Sequence, residues 1–153
     1  MRLTVAAVGK PRNAAIAAAI HDYETRAARY WPLDVHEVRE ERAANATPKV
    51  VRGREGERLL EKVGSARLIA CDPGGKSFTS EQFAEWLQKE RESDRDTAFV
   101  IGGAFGLADT LLARSVMKLS LAPWTLPHEL ARLVLAEQLY RAGSIVRGEP
   151  YHK

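Results

Sequence analysis

Short apolar runs separated by helix-length segments set the tightest limit on how this chain can fold. Residues 3–8, 67–72, 97–101 and 116–121 each read as a strand short and apolar enough to be buried on both faces. Residues 33–39 alternate more weakly, Leu33, Val35 and Glu37 against Asp34, His36 and Val38, as a strand nearer an edge does. Helical spacing fills the gaps. Asn13 caps a segment whose Ile16, Ile20, Tyr23, Ala27 and Tyr30 share one face, and Trp31-Pro32 ends it. Pro48 opens another helix, with Gly53 and Gly56 each weakening it by about 1 kcal/mol relative to alanine. Thr79 or Ser80 caps a third, with Phe83, Trp86 and Leu87 on its apolar side. A short helical turn covers residues 107–112, and a last helix runs from about Pro127 to Ala142. Strands alternating with helices predict an α/β domain with a mostly parallel sheet flanked by helices, and 153 residues fit one domain, 1–153.

In such a sheet ligands bind beyond the carboxyl ends of the strands. Three segments fall there: residues 71–75, the glycine cluster Gly102, Gly103 and Gly106, and residues 121–127. The glycines permit close backbone approach, but G-G-x-x-G is not a dinucleotide fingerprint, and no G-x-x-x-x-G-K-[ST] loop is present. Residues 121–127 hold two prolines and Trp124 and no charge, a lining that suits a flat heterocycle with an apolar arm better than a phosphate.

Net charge is +3, a weak hint of an anionic partner. Lys49, Arg52, Arg54 and Arg58, with Arg39 and Arg42 just before, read either as a loose phosphate-binding surface or as a solvated helix face, the latter supported by Glu55, Glu57 and Glu61. A single cysteine, Cys71, excludes an internal disulfide, and with no signal-peptide pattern it predicts the cytoplasm. No apolar stretch reaches the ~20 residues of a membrane span. His21, His36, His128, His152 and Cys71 are too scattered for a metal site.

The end of the chain is dense in chemistry. His128 and Glu129 open the last helix, which is apolar on most sides and therefore calls for two partners, its own sheet and a second subunit. Glu137 and Arg141 form an i,i+4 pair. The last seven residues, Arg147-Gly148-Glu149-Pro150-Tyr151-His152-Lys153, combine cations, a carboxylate, a phenol and an imidazole.

Taken together, Ile101-Gly102-Gly103-x-x-Gly106-Leu107, Leu126-Pro127-His128-x-x-x-Arg132, Glu137-Gln138-x-Tyr140-Arg141-Ala142 and Arg147-Gly148-Glu149-x-Tyr151-His152-Lys153 resemble the RlmH family, as do residues 3–10 and 68–76. The resemblance spans essentially the whole chain. It implies a SPOUT-type fold with a C-terminal trefoil knot, a homodimer, and S-adenosylmethionine as methyl donor. It also implies methylation of N3 of a pseudouridine in helix 69 of 23S rRNA, with the assembled ribosome as substrate. The donor pocket it implies is Cys71, Asp72, Gly102, Gly103, Leu121, Ala122, Pro123, Trp124, Thr125, Leu126 and Pro127. His128, Arg141, Tyr151 and His152 match positions of substrate engagement and catalysis. Cys71 stands where members often have Leu, and Ala104-Phe105 where some have Pro-Glu, which puts one pocket wall in question. Rival readings are a non-catalytic ribosome-binding factor and a small-molecule transferase on the same architecture.

Overall fold

The computed structural model describes residues 1–152. Five strands, β1 (Leu3–Val8), β2 (Leu33–Val38), β3 (Arg67–Lys76), β4 (Thr97–Ile101) and β5 (Met117–Leu119), form one sheet in the order β2-β1-β4-β3-β5. All four pairings are parallel. The helices are α1 (Ala14–Ala27), α2 (Pro48–Val63), α3 (Ser80–Glu92), α4 (Asp109–Arg114) and α5 (His128–Val146), with a 3-10 turn over Pro150–His152. The predicted α/β architecture is what the chain adopts, with the weakly patterned β2 at an edge.

Every residue of β1 and β4 is buried, because helices cover both faces of the sheet. Leu3, Val5, Ala7, Phe99 and Ile101 pack on one side with Trp31, Phe83, Leu87, Leu135 and Leu139. Ala6, Val8, Ala98 and Val100 pack on the other with Leu59, Val63, Leu107 and Leu111. Period-two alternation thus feeds two cores, one under α1, α3 and α5, the other under α2 and α4.

Several boundaries differ from expectation, and α4 spans Asp109–Arg114 rather than residues 107–112. β3 does not end at Asp72: it continues to Lys76, which pairs with Leu119 after a register shift beyond Cys71. Pro73-Gly74-Gly75 is therefore an irregular strand segment, and Gly75 is required because a Cβ there would sit 2.5 Å from the Lys118 carbonyl carbon. β5 is correspondingly short. α2 runs unbroken through Gly53 and Gly56, and Gly56 brings the helix against Ala108 of the segment leading into α4. α5 passes Ala142 and continues to Val146. Gly143 does not stop it; a Cβ there would overlap the Tyr30 ring, so the glycine lets α1 and α5 approach closely.

α5 is anchored along its length. Trp31, 1% exposed, donates its indole N–H to the Leu139 carbonyl at 2.9 Å. Arg132, a polar exception on an apolar helix, is buried and held by Glu24 at 2.8 and 3.2 Å and by Glu37 at 3.3 Å. The Glu129 carboxylate accepts the Arg12 backbone N–H, tying the β1–α1 loop to the first turn of α5.

Candidate active site

A cavity of about 430 Å³ opens beyond the carboxyl ends of β3, β4 and β5, closed on one side by the first turn of α5. That volume lies in the range of small-molecule sites. The three predicted strand-end segments converge there. Cys71 and Asp72 come from β3, Gly102 and Gly103 from the end of β4, and Leu121, Ala122, Trp124, Thr125, Leu126 and Pro127 from the β5–α5 connection. Pro123 is exposed and does not line the cavity. Ala104 lines it, whereas Phe105 lies outside the lining and is 42% exposed, so the unusual pair alters the wall only through its alanine.

The glycine turn is dictated by space. A Cβ on Gly102 would fall 2.6 Å from Gly106 backbone atoms, and Gly106 itself has φ +77°. The Gly106 N–H donates to the Gly103 carbonyl at 3.1 Å, closing the turn. The result is a wall of bare backbone, open to close approach by a ligand. On β3, Asp72 accepts the Gly74 N–H at 3.0 Å, so its carboxylate shapes the turn as well as the rim. Burial pushes the Cys71 thiol up to about 12, which favours the protonated thiol. His128 is the sole member of the predicted catalytic set on this cavity, and its Nε2 is buried without a hydrogen-bond partner among the described residues.

Arg141, Tyr151 and His152 lie elsewhere. Arg141 lies 13 positions beyond His128 on α5, about 20 Å along the axis. There the tail folds back on α5 and α1. Glu137 Oε1 accepts Arg141 Nε at 2.9 Å, Arg141 Nη2 at 2.6 Å and the Tyr151 hydroxyl at 3.1 Å. The Arg141 guanidinium lies 4.9 Å from the centroid of the Tyr151 ring, which sits 4.5 Å from that of Tyr140. Burial first, then the bond with Tyr23 and the nearby Glu137 charge, holds the Tyr151 phenol well above its ordinary value. Tyr30 donates to Glu149, and Gly148 at φ +69° turns the chain so that the Glu149 N–H reaches the Ser144 carbonyl at 2.9 Å. His152 Nδ1 is buried and has no partner among the described residues. Lys153 lies outside the described residues.

The structure therefore gathers the predicted donor-binding residues in one place and divides the predicted catalytic ones between two. Sequence reasoning missed Glu137 as the hub of the tail, although its spacing to Arg141 was visible. It also misplaced Glu55. Far from lying on a solvated face, Glu55 is 3% exposed, and its place on the Val51, Glu55, Leu59, Val63 stripe of α2 is the signal that marks it. Two cations of the basic segment are held in place. Arg58 binds Glu41 and the Arg39 carbonyl, and Arg54 reaches Glu41 at 3.4 Å. Among the described residues no group of three or more His, Cys, Asp or Glu could hold a metal ion, and no helix is long and apolar enough to cross a membrane.

The family described as "Predicted SPOUT methyltransferase" matches residues 1–152. The chain belongs to the RlmH family of SPOUT methyltransferases. Among its relatives, "Ribosomal RNA large subunit methyltransferase H" of Gemmatimonas aurantiaca is 60% identical, with all of both chains covered. The protein of the same name from Anaeromyxobacter sp. (strain Fw109-5) is 48% identical, again over all of both chains. In fold, this SPOUT chain is similar to the tRNA (m1G37) methyltransferase from Aquifex aeolicus, with a TM-score of 0.51 and 12% identity, covering 99% of this chain and 72% of that one.

Proposed function

We propose that the protein is an S-adenosylmethionine-dependent rRNA methyltransferase that modifies N3 of a pseudouridine in helix 69 of 23S rRNA within the assembled ribosome. The observation that carries the reading is the cavity at three strand ends, backed by bare glycine backbone and walled by apolar residues. Such a site fits a donor with a flat base and an apolar thioalkyl arm, and it lacks any phosphate-binding loop. The large-subunit rRNA substrate is supported by the names of the full-length relatives. The finer substrate is supported by the match of the 137–142 and 147–153 motifs to the RlmH pattern. The reading places the enzyme in the cytoplasm, away from membranes. It includes a C-terminal knot, which rests on the resemblance to the RlmH family alone.

When bound, S-adenosylmethionine supplies an electrophilic methyl group. The chain's part is to position N3 in line with it and to accept the N3 proton. Two imidazoles are suited to that transfer near neutral pH, His128 on the pocket and His152 in the tail. Tyr151 offers a ring to a splayed base, and Arg141 and Arg147 offer guanidiniums to phosphates. Since one chain holds these groups about 20 Å from its own pocket along α5, the working site is shared: the tail of one subunit completes the pocket of another in a homodimer.

Transfer of labelled methyl from S-adenosylmethionine to ribosomes lacking the modification, beside free rRNA, tests the reaction. Label in helix 69 of ribosomes is expected. Label in another RNA refutes the substrate, and no label with no donor binding refutes the enzyme. Full turnover by both His128→Ala and His152→Ala at saturating substrates refutes the proton-transfer assignment. Mixed dimers of a tail-deleted subunit with a pocket variant should regain activity; verified heterodimers without rescue refute the shared site.

A further inference from the structure

One buried acid takes no part in binding or proton transfer as proposed for the pocket and the tail. Glu55 on α2 is 3% exposed. Its Oε2 accepts the Glu41 backbone N–H at 3.1 Å, and its Oε1 has no partner among the described residues. A carboxylate placed this way keeps a large desolvation cost, which a fold retains only where something offsets it. Burial accordingly pushes its pKa above the ordinary carboxylate value.

Its position is informative. A Cβ built on Gly103 would lie 3.1 Å from both Glu55 oxygens and 3.1 Å from Val8 Cγ1. Gly103 also lines the cavity. The direction a side chain would take at Gly103 therefore points at Glu55, and only the thickness of one glycine stands between the carboxylate and the pocket. The cations nearby are engaged with other carboxylates: Arg58 and Arg54 with Glu41, and Arg12 with Glu40. Glu40 and Glu41, on the connection entering α2, add negative charge rather than offset it. The back wall of the pocket thus carries a buried carboxylate whose one favourable cation, Arg58, is itself bonded to Glu41, so its charge is only partly offset.

We propose that Glu55 makes the pocket prefer the positively charged donor to the neutral product of transfer. The inference rests on the donor reading above. A sulfonium carries one more positive charge than the thioether left after its methyl departs. A buried anion behind a one-residue wall attracts the first and not the second, and low polarisability of the wall strengthens the difference. The same asymmetry speeds replacement of spent donor by fresh donor.

Calorimetric affinities of S-adenosylmethionine and S-adenosylhomocysteine, measured for the wild type and Glu55→Gln, test it. Glutamine keeps the shape and the oxygen that accepts from Glu41 while removing the charge. The donor-over-product ratio is expected to fall about tenfold, chiefly through weaker donor binding, with product affinity changed less than about twofold. Equal weakening of both ligands means that Glu55 only supports the glycine turn, and an unchanged ratio means that it does not act on the ligand; either result overturns the proposal. Should Glu55→Gln fail to fold, the two wild-type affinities decide: donor bound more tightly than product is expected, and product bound as tightly as the donor overturns the proposal. Wild-type protein that binds neither ligand removes the donor reading itself, an outcome distinct from an unaltered ratio.

Discussion

The pocket and the tail are built in opposite ways. The pocket is mostly backbone: three strand-end segments, a glycine turn and apolar walls, with His128 Nε2 unpaired among the described residues. The tail is mostly side chain, and most of its strong groups are paired, with Arg141 and Tyr151 both bound to Glu137 and Tyr30 bound to Glu149, while His152 Nδ1 has no partner among the described residues. Backbone walls are fixed by the sheet and cannot adapt. Hydrogen-bonded side chains can exchange partners when a better anion or a base arrives. On the proposed function, that difference suits the first region to a small ligand and the second to a large polyanion.

Four changes would break or sharpen that contrast. The largest effect should come from Arg132→Ala, because Arg132 pins the second turn of α5, the helix that links both regions, to α1 and β2. Its removal strands the Glu24 carboxylate, itself largely buried, and should lower unfolding free energy by about 3–5 kcal/mol in a denaturant titration. Gly102→Val should damage the pocket alone. The added atoms meet Gly106 backbone, and moving that turn should weaken donor binding about 30-fold by calorimetry, with the tail's contacts kept. Glu137→Gln should do the reverse. With its charge gone, Arg141 and Tyr151 lose their common anchor, and methyl transfer should fall about tenfold while donor affinity stays within about twofold.

The smallest effect is one of pH. The bond to Glu149, then burial, pushes the Tyr30 phenol from 10.0 up to about 12. Between those values the unfolded chain loses this proton while the folded chain keeps it. The stabilisation is therefore whole below pH 10 and is lost as pH rises toward 12. Melting temperature should drop across that window, and less steeply in Tyr30→Phe; parallel curves would show that the Tyr30–Glu149 contact is not maintained in solution.

Much of the pocket was legible in the sequence because it depends on local rules. Apolar runs mark the strands, and the few residues after each run mark the rim. Glycines that seemed to be punctuation were less legible, because Gly75 and Gly143 answer to Lys118 and Tyr30, residues distant in the chain. Hence β3 and α5 are longer than their glycines predict. The tail's partners were illegible for the same reason: Tyr30 and Glu149 are 119 positions apart, and no periodicity connects them. Glu55 could have been read from its stripe, had charge not been equated with exposure.

α5 runs through both regions without a break, and so acts as a ruler between them. One residue inserted between His128 and Arg141 would advance everything beyond it by about 1.5 Å and rotate it by about 100°. Trp31 and Glu137 would then face the wrong neighbours, and the tail would swing away from Tyr23 and Tyr30, against which it packs. Length changes in this helix should therefore be lethal to function in steps smaller than a full turn, whereas the exposed connection around Asn45 can grow or shrink freely.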